Sequence, residues 1–422
     1  MKLRYAIFSV VLISGIAYAE QENKTATVSE KTSESGAKLA ETPPMGWSSW
    51  NYYGDRINEK VIIDTIDKMV SMGLREAGYR YVNIDDGWQK YKGSRAEHPL
   101  TWDEKKFPRG IKYIADYAHS KGLKLGIYSG PGDMTCAGYT GSAGHEKEDA
   151  AQFASWGVDH LKYDSCCSHQ QAGKAVLKKV FGDMSAALEA TGRPMVYHAC
   201  HCGWQNIWQW GASVGANQWR IGQDISDDFN YPGNREGYYF DVLDMIDRGV
   251  GLEKYSGKGH WNDYDMLIIG LHGHSQELVG TGASDTEYRT HFSMWSILSS
   301  PLLIGASLDN LTAEDITTLT NKEIIALNQD PLGLQAKRYV SNGDLQIFAK
   351  PLADGSWAVA MLNRSGQTAS MSLNIHQDLD LPWKKTRVRD LWQHSDKGTV
   401  EDSYTTEVQS HEAKMLVIRS GW

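Results

Sequence analysis

From about residue 45 to residue 330, short apolar runs alternate with longer segments whose apolar residues recur at helical spacing. Tyr79–Ile84, Leu123–Tyr128, His160–Tyr163 and Met195–His198 read as strands; Ile111–His119, Ala150–Trp156 and Lys174–Ala190 read as helices. Such alternation predicts a parallel sheet with crossover helices. The number of repeats and their length favour a closed (β/α)8 TIM barrel over residues 41–334. An open doubly wound sheet is the other arrangement, but no Gly-rich phosphate loop follows the first strand.

The placement of acidic residues sharpens this reading. Asp85 and Asp86 follow a strand, as does Asp164; Asp224 follows the strand-like Gln218–Arg220, and Asp263 and Asp265 follow His260–Trp261. A single Asp after a strand is ordinarily a helix N-cap. In a barrel, however, all these positions fall on the C-terminal rim, where active sites are built.

After about residue 335 the helical pattern stops. Leu345–Lys350, Trp357–Leu362, Ala369–Ile375, Thr386–Leu391 and Lys414–Ile418 read as short strands, with Asn342-Gly343 and Asp354-Gly355 as hairpin turns. Residues 335–422 are therefore expected to form a small antiparallel β-sandwich that caps the barrel, in preference to a separate sugar-binding module.

The first residues have the form of a cleavable export signal. Lys2 and Arg4 precede the apolar run Ala6–Ile16, and Ala17-Tyr18-Ala19 has the A-x-A cleavage pattern. Residues 1–19 are thus expected to be a signal peptide and 20–40 a polar, disordered leader. A secreted or periplasmic protein follows, and export permits disulfides among Cys136, Cys166, Cys167, Cys200 and Cys202. A net charge of −9 without a basic cluster argues against nucleic acid or an anionic membrane as partner. No feature of the sequence sets an oligomeric state.

A rim rich in Asp, close to Trp and Tyr, suits glycosidic bond cleavage. That reaction needs one carboxylic acid to protonate the leaving oxygen and a second carboxylate at the anomeric carbon. An oligo- or polysaccharide is the partner such a site takes.

Five motifs carry a resemblance. They are Thr42-Pro43-Pro44-Met45-Gly46-Trp47-Ser48-Ser49-Trp50-Asn51, Asp85-Asp86-Gly87-Trp88, Leu161-Lys162-Tyr163-Asp164-Ser165-Cys166, Trp261-Asn262-Asp263-Tyr264-Asp265-Met266 and Asn328-Gln329-Asp330-Pro331-Leu332-Gly333. In this order they resemble glycoside hydrolase family 27, the α-galactosidase and α-N-acetylgalactosaminidase family. The resemblance covers about residues 42–335. It implies a retaining exo-glycosidase with Asp164 as nucleophile and Asp224, in Arg220-x-x-x-Asp224, as acid/base. It further implies that Asp85, Asp86, Lys162 and Arg220 bind sugar hydroxyls, and that Trp47, Tyr128, Cys136, Asp265 and Met266 complete the pocket wall. Cys136 and Cys166 match a family disulfide. The family reaction uses no cofactor or metal.

The segment after the fifth strand departs from the family. Where α-galactosidases carry Cys-Glu-Trp, this chain has Cys200-His201-Cys202-Gly203-Trp204, so His201 stands in place of the specificity Glu. Ala216 also stands near where some members have a second disulfide Cys. His201 is expected to line the pocket beside the sugar's 2-substituent. Removal of α-D-galactose is the leading reading. An isomalto-dextranase, β-L-arabinopyranosidase or α-N-acetylgalactosaminidase activity, or a non-catalytic sugar-binding barrel, stays open. Cys and His are zinc ligands, but adjacent His201 and Cys202 on a strand would face opposite ways, and no metal is expected.

Overall fold

A computed structural model describes residues 39–165, 172–231 and 239–421. The expected signal peptide, and all of the leader except its last two residues, lie outside the described residues, as do Cys166 and Cys167. No helix among the described residues is long and apolar enough to cross a membrane.

Ten strands are described up to residue 304: β1 Met45–Ser48, β2 Tyr81–Asn83, β3 Lys124–Ser129, β4 His160–Asp164, β5 Val196–Cys200, β6 Gln218–Arg220, β7 Asp224–Ile225, β8 Tyr239–Phe240, β9 Trp261–Asp263 and β10 Leu302–Ile304. Eight form one parallel sheet in the order β10-β1-β2-β3-β4-β5-β6-β9. A parallel bridge between Leu267, just past β9, and Ile304 of β10 brings the two outer strands together and closes the barrel. Sequential strands pairing in parallel through crossover helices is the TIM barrel arrangement.

The strands are nearly continuous in burial, as parallel strands covered on both faces must be. Helices Glu59–Ser71, Gly110–Ser120, Glu146–Trp156 and Lys174–Ala190 cover the outside with Ile62, Ile66, Ile111, Ile114, Phe153, Leu177 and Phe181. Helix capping is done largely by residues other than the rim carboxylates. Asn58, Asp241, Ser284, Thr312 and Asn321 accept from first-turn amides. The oxygens of Asp85, Asp86 and Asp265 are occupied elsewhere.

The ribbon β7–β8 lies outside the barrel sheet. It pairs Asp224 with Tyr239 and Ile225 with Phe240. It holds Asp224 above the barrel mouth.

The C-terminal strands are β11 Lys337–Asn342, β12 Leu345–Pro351, β13 Trp357–Asn363, β14 Ala369–Asn374, β15 Thr386–Asp390, β16 Ser395–Val400, β17 Ser403–Val408 and β18 Ala413–Ser420. They form a six-stranded antiparallel sheet, β11-β12-β13-β18-β15-β16, and the pair β14-β17. Side-chain alternation gives the larger sheet two buried faces. Phe348, Ala358, Ala360, Leu362, Met415 and Val417 join the barrel core, while Ile347, Ala349, Val359, Met361, Leu416 and Ile418 pack with Met371 and Leu373 of β14. The sequence reading ended β14's run at Ile375. Instead, Ile375–Leu379 forms one short helix, because Asn374 caps it by accepting from Gln377 N at 2.8 Å.

Candidate active site

Four of the rim carboxylates, Asp85, Asp86, Asp164 and Asp224, converge on one cavity of about 400 Å³. Its floor and walls include Asp85, Asp86, Tyr128, Cys136, Lys162, Asp164, Arg220, Asp224 and Met266. Asp164 ends β4, in the middle of the barrel sheet. Gly130, just past β3, lets it sit there: a Cβ on Gly130 would lie 2.5 Å from the Asp164 carbonyl oxygen.

Around Asp164 the charges are arranged in pairs. Lys162 Nζ donates to Asp85 Oδ2 at 2.9 Å, with side-chain exposures of 13% and 3%. Burial alone would lower the Lys162 ammonium, but Asp85 and Asp164 outweigh it and hold the lysine above its ordinary range. Burial pushes the Tyr128 hydroxyl up, with Asp164, Asp86 and Asp85 adding to it. Tyr128 stays protonated and its OH donates to Cys136 Sγ at 3.0 Å. Asp86 accepts from Gly87 N and Ala137 N, each at 2.9 Å. Burial, with the charge of Asp85, still raises Asp86 to about 7. Near neutral pH it can both donate to and accept from a hydroxyl.

On the far side Arg220 Nη2 lies 3.1 Å from Asp224 Oδ1 and 2.8 Å from Asp265 Oδ2. Asp265 is locked in a left-handed backbone (φ 76°) and accepts from Ile225 N at 2.8 Å, tying the ribbon to the barrel. Burial lifts Asp265 to about 6 despite Arg220. Asp224 is the open member of this group, its side chain 40% exposed.

Three residues expected in the wall are elsewhere. Trp47 is fully buried in β1, its Nε1 donating to Ala306 O at 2.8 Å. Asp265 sits behind Arg220. His201 corrects the expectation made for the specificity segment. It is 1% exposed, its Nδ1 is 2.5 Å from Ser165 Oγ, and its ring meets Phe181 edge-on at 6.1 Å. Cys202 reaches the cavity in its place. The two residues do face opposite ways, and Cys202 does so in a left-handed backbone (φ 48°). Cys200 and Cys202 are thiols, and hydrogen bonding to Cys202 together with burial pushes the Cys200 thiol up. The expected Cys136–Cys166 bridge involves Cys166, outside the described residues.

Other wall residues were not singled out. Trp50, Asn51 and Asp55 line one side with Glu277 and Leu278; Gln223 and Tyr239 line the other. Trp50 and Asn51 were within reach, since both stand in the opening motif. The loop bearing Glu277 is pinned to them, with Leu278 N donating to Asn51 O at 3.3 Å and Gln276 N to Tyr52 O at 3.1 Å.

A barrel whose rim places Asp164 near Lys162 and Asp224 beside Arg220, within one cavity, has the composition of a glycoside hydrolase site. Comparison with known proteins agrees. The family described as Alpha galactosidase A matches residues 42–330, and the alpha galactosidase C-terminal beta sandwich domain matches residues 342–418. The alpha-galactosidase of Cyamopsis tetragonoloba is 40% identical over 407 residues, covering 94% of this chain and 92% of that protein. The structure of alpha-galactosidase I from Mortierella vinacea superposes with a TM-score of 0.85 at 36% identity, covering 92% of this chain and 99% of that one. A Saccharomyces cerevisiae alpha-galactosidase with raffinose superposes with a TM-score of 0.83 at 29% identity, covering 91% and 98%. The chain belongs to glycoside hydrolase family 27, the α-galactosidase family.

Proposed function

We propose that this enzyme is an exported, retaining exo-α-galactosidase acting on oligo- or polysaccharides that carry terminal α-D-galactosyl units. The observation that carries the reading is that Asp164, near enough to Lys162 to help keep it charged beside Asp85, and Asp224, paired with Arg220, line one cavity. Asp164 Oδ attacks the anomeric carbon as the glycosidic C–O bond breaks, and Asp224 gives its proton to the departing oxygen. The covalent galactosyl ester on Asp164 is then released by water, whose proton returns to Asp224. Asp85, Asp86 and Lys162 bind sugar hydroxyls beside the nucleophile. The Cys136–Cys166 bridge belongs to the same proposal, tying the chain past β3 to the residue two places after Asp164.

The change in the segment after β5 bears on sugar choice. With His201 turned inward, Cys202 is the side chain that segment presents to the cavity, which leaves the wall without the carboxylate that family α-galactosidases carry there. A panel of nitrophenyl glycosides tests the sugar assignment, and NMR of the first product tests retention. α-D-Galactoside should be cleaved fastest, with α-galactose as the first product. A faster β-L-arabinopyranoside or α-glucoside would replace the sugar assignment, and β-galactose as the first product would reject double displacement.

A further inference from the structure

A second groove, of about 330 Å³, lies against the active-site cavity and shares Cys202 and Gln223 with it. The ribbon β7–β8 separates the two spaces. Asp224 and Tyr239, paired across it, line the cavity, while the next residue, Phe240, lines the groove. Gln223 adjoins Asp224 in sequence, so the groove opens beside the carboxylate that meets the leaving oxygen.

The groove's chemistry is that of a sugar platform. Trp204 is 38% exposed. An aromatic face so exposed suits the apolar side of a pyranose ring. Gln205 and Asn206 are exposed amides, each able to donate and accept. The one charge, Arg248, is already engaged: its Nε donates to Ile221 O at 3.1 Å and its guanidinium lies 5.6 Å from the Trp208 ring. The groove therefore makes no demand for an acidic ligand.

The loop bearing Trp204 is held in an unfavourable shape. Cys202, Gln205 and Asn206, none of them glycine, have φ of 48°, 51° and 53°. Such backbones persist only where the surroundings enforce them. Here Gly203 N donates to Arg220 O at 3.1 Å, Trp204 N to His201 O at 2.8 Å, and Trp210 Nε1 to Gln205 O at 3.1 Å. A Cβ on Gly203 would lie 2.1 Å from Ile221 O, so only glycine brings the loop this close to the end of β6.

We propose that this groove is a leaving-group subsite that binds neutral sugar units beyond the scissile bond, with Trp204 as its stacking platform. It rests on the glycosidase reading above. The test compares wild type, Trp204→Ala and Trp204→Phe on nitrophenyl α-galactoside and on an α-galactosyl oligosaccharide with at least two leaving sugar units. For Trp204→Ala, the ratio of kcat/KM on the oligosaccharide to that on the nitrophenyl substrate should fall about tenfold, mainly through KM, as loss of about 1.4 kcal/mol of binding requires. Trp204→Phe should restore most of it. An unchanged ratio for Trp204→Ala, or one that Phe does not restore, overturns the subsite and leaves the glycosidase reading standing. A wild type that cleaves neither substrate overturns both.

Discussion

Lys162 and Lys350 both lie largely out of solvent, and their fates differ. Lys162, at the barrel mouth, is 2.9 Å from Asp85 and beside Asp164, and these carboxylates keep it charged. Lys350 of β12, at the seam between barrel and sandwich, is 2% exposed and donates to Ser299 Oγ and Leu327 O, each at 2.7 Å. Its acceptors are neutral, and burial drags it down to about 7, with only Asp330 opposing. A buried cation stays ionised where carboxylates surround it; with dipoles alone it gives up its proton. The first arrangement lines the cavity and the second is packing.

Removing the carboxylate beside Lys162 should have the largest effect. Asp164→Asn should lower kcat at least about 10³-fold with an unchanged melting profile, because an amide cannot form the glycosyl ester. Activity within about tenfold of wild type would take Asp164 out of the mechanism.

Lys162→Met comes next. It removes hydrogen bonds to charged groups worth about 1.5–3 kcal/mol, so kcat/KM should drop about 10- to 150-fold. A loss confined to stability would make Lys162 structural.

Lys350→Met should leave kcat/KM within about twofold and change the pH dependence of stability instead. Lys350 has a depressed folded pKa, so the unfolded chain binds the extra proton and stability rises with pH across the window from about 7 to about 10.5. Between pH 7 and pH 9 urea denaturation should show a gain of about 2 kcal/mol from this group. That gain should vanish in Lys350→Met; its survival there would mean that another group produces it.

The smallest effect is expected at His201. Since its ring faces Ser165 and Phe181, His201→Gln should leave the KM for α-galactoside within about twofold. A tenfold change would put the ring back in the cavity.

Much of the site could be read before the fold was known, because the short apolar runs and the segments of helical spacing located the strand ends, and the carboxylates stand at or just past those ends. Errors arose where a local rule was asked to choose between neighbours. Trp47 and Trp50 share one motif, but Trp47 lies in β1 and is enclosed, while Trp50 begins the next helix at the cavity. His201 and Cys202 are adjacent, and the left-handed turn at Cys202 decides which faces inward. The ribbon β7–β8 was invisible because strands of two residues carry no period. β16 and β17 went unread because they are largely polar, as strands with a solvent-facing side are. Glu277 gave no local signal. It joins the cavity only because its loop is bonded to Asn51 and Tyr52, more than 200 residues away in sequence.

In the proposed mechanism Asp164 forms the covalent bond to the sugar. A fluorinated galactosyl fluoride tests it directly: fluorine slows both steps by opposing ring charge, while the good leaving group lets the first step outrun the second. After incubation and digestion, mass spectrometry should find the fluorogalactosyl group on the peptide containing Asp164, and on that residue within it. A label on Asp224 or another carboxylate, or turnover with no labelled peptide, would mean that Asp164 is not the nucleophile.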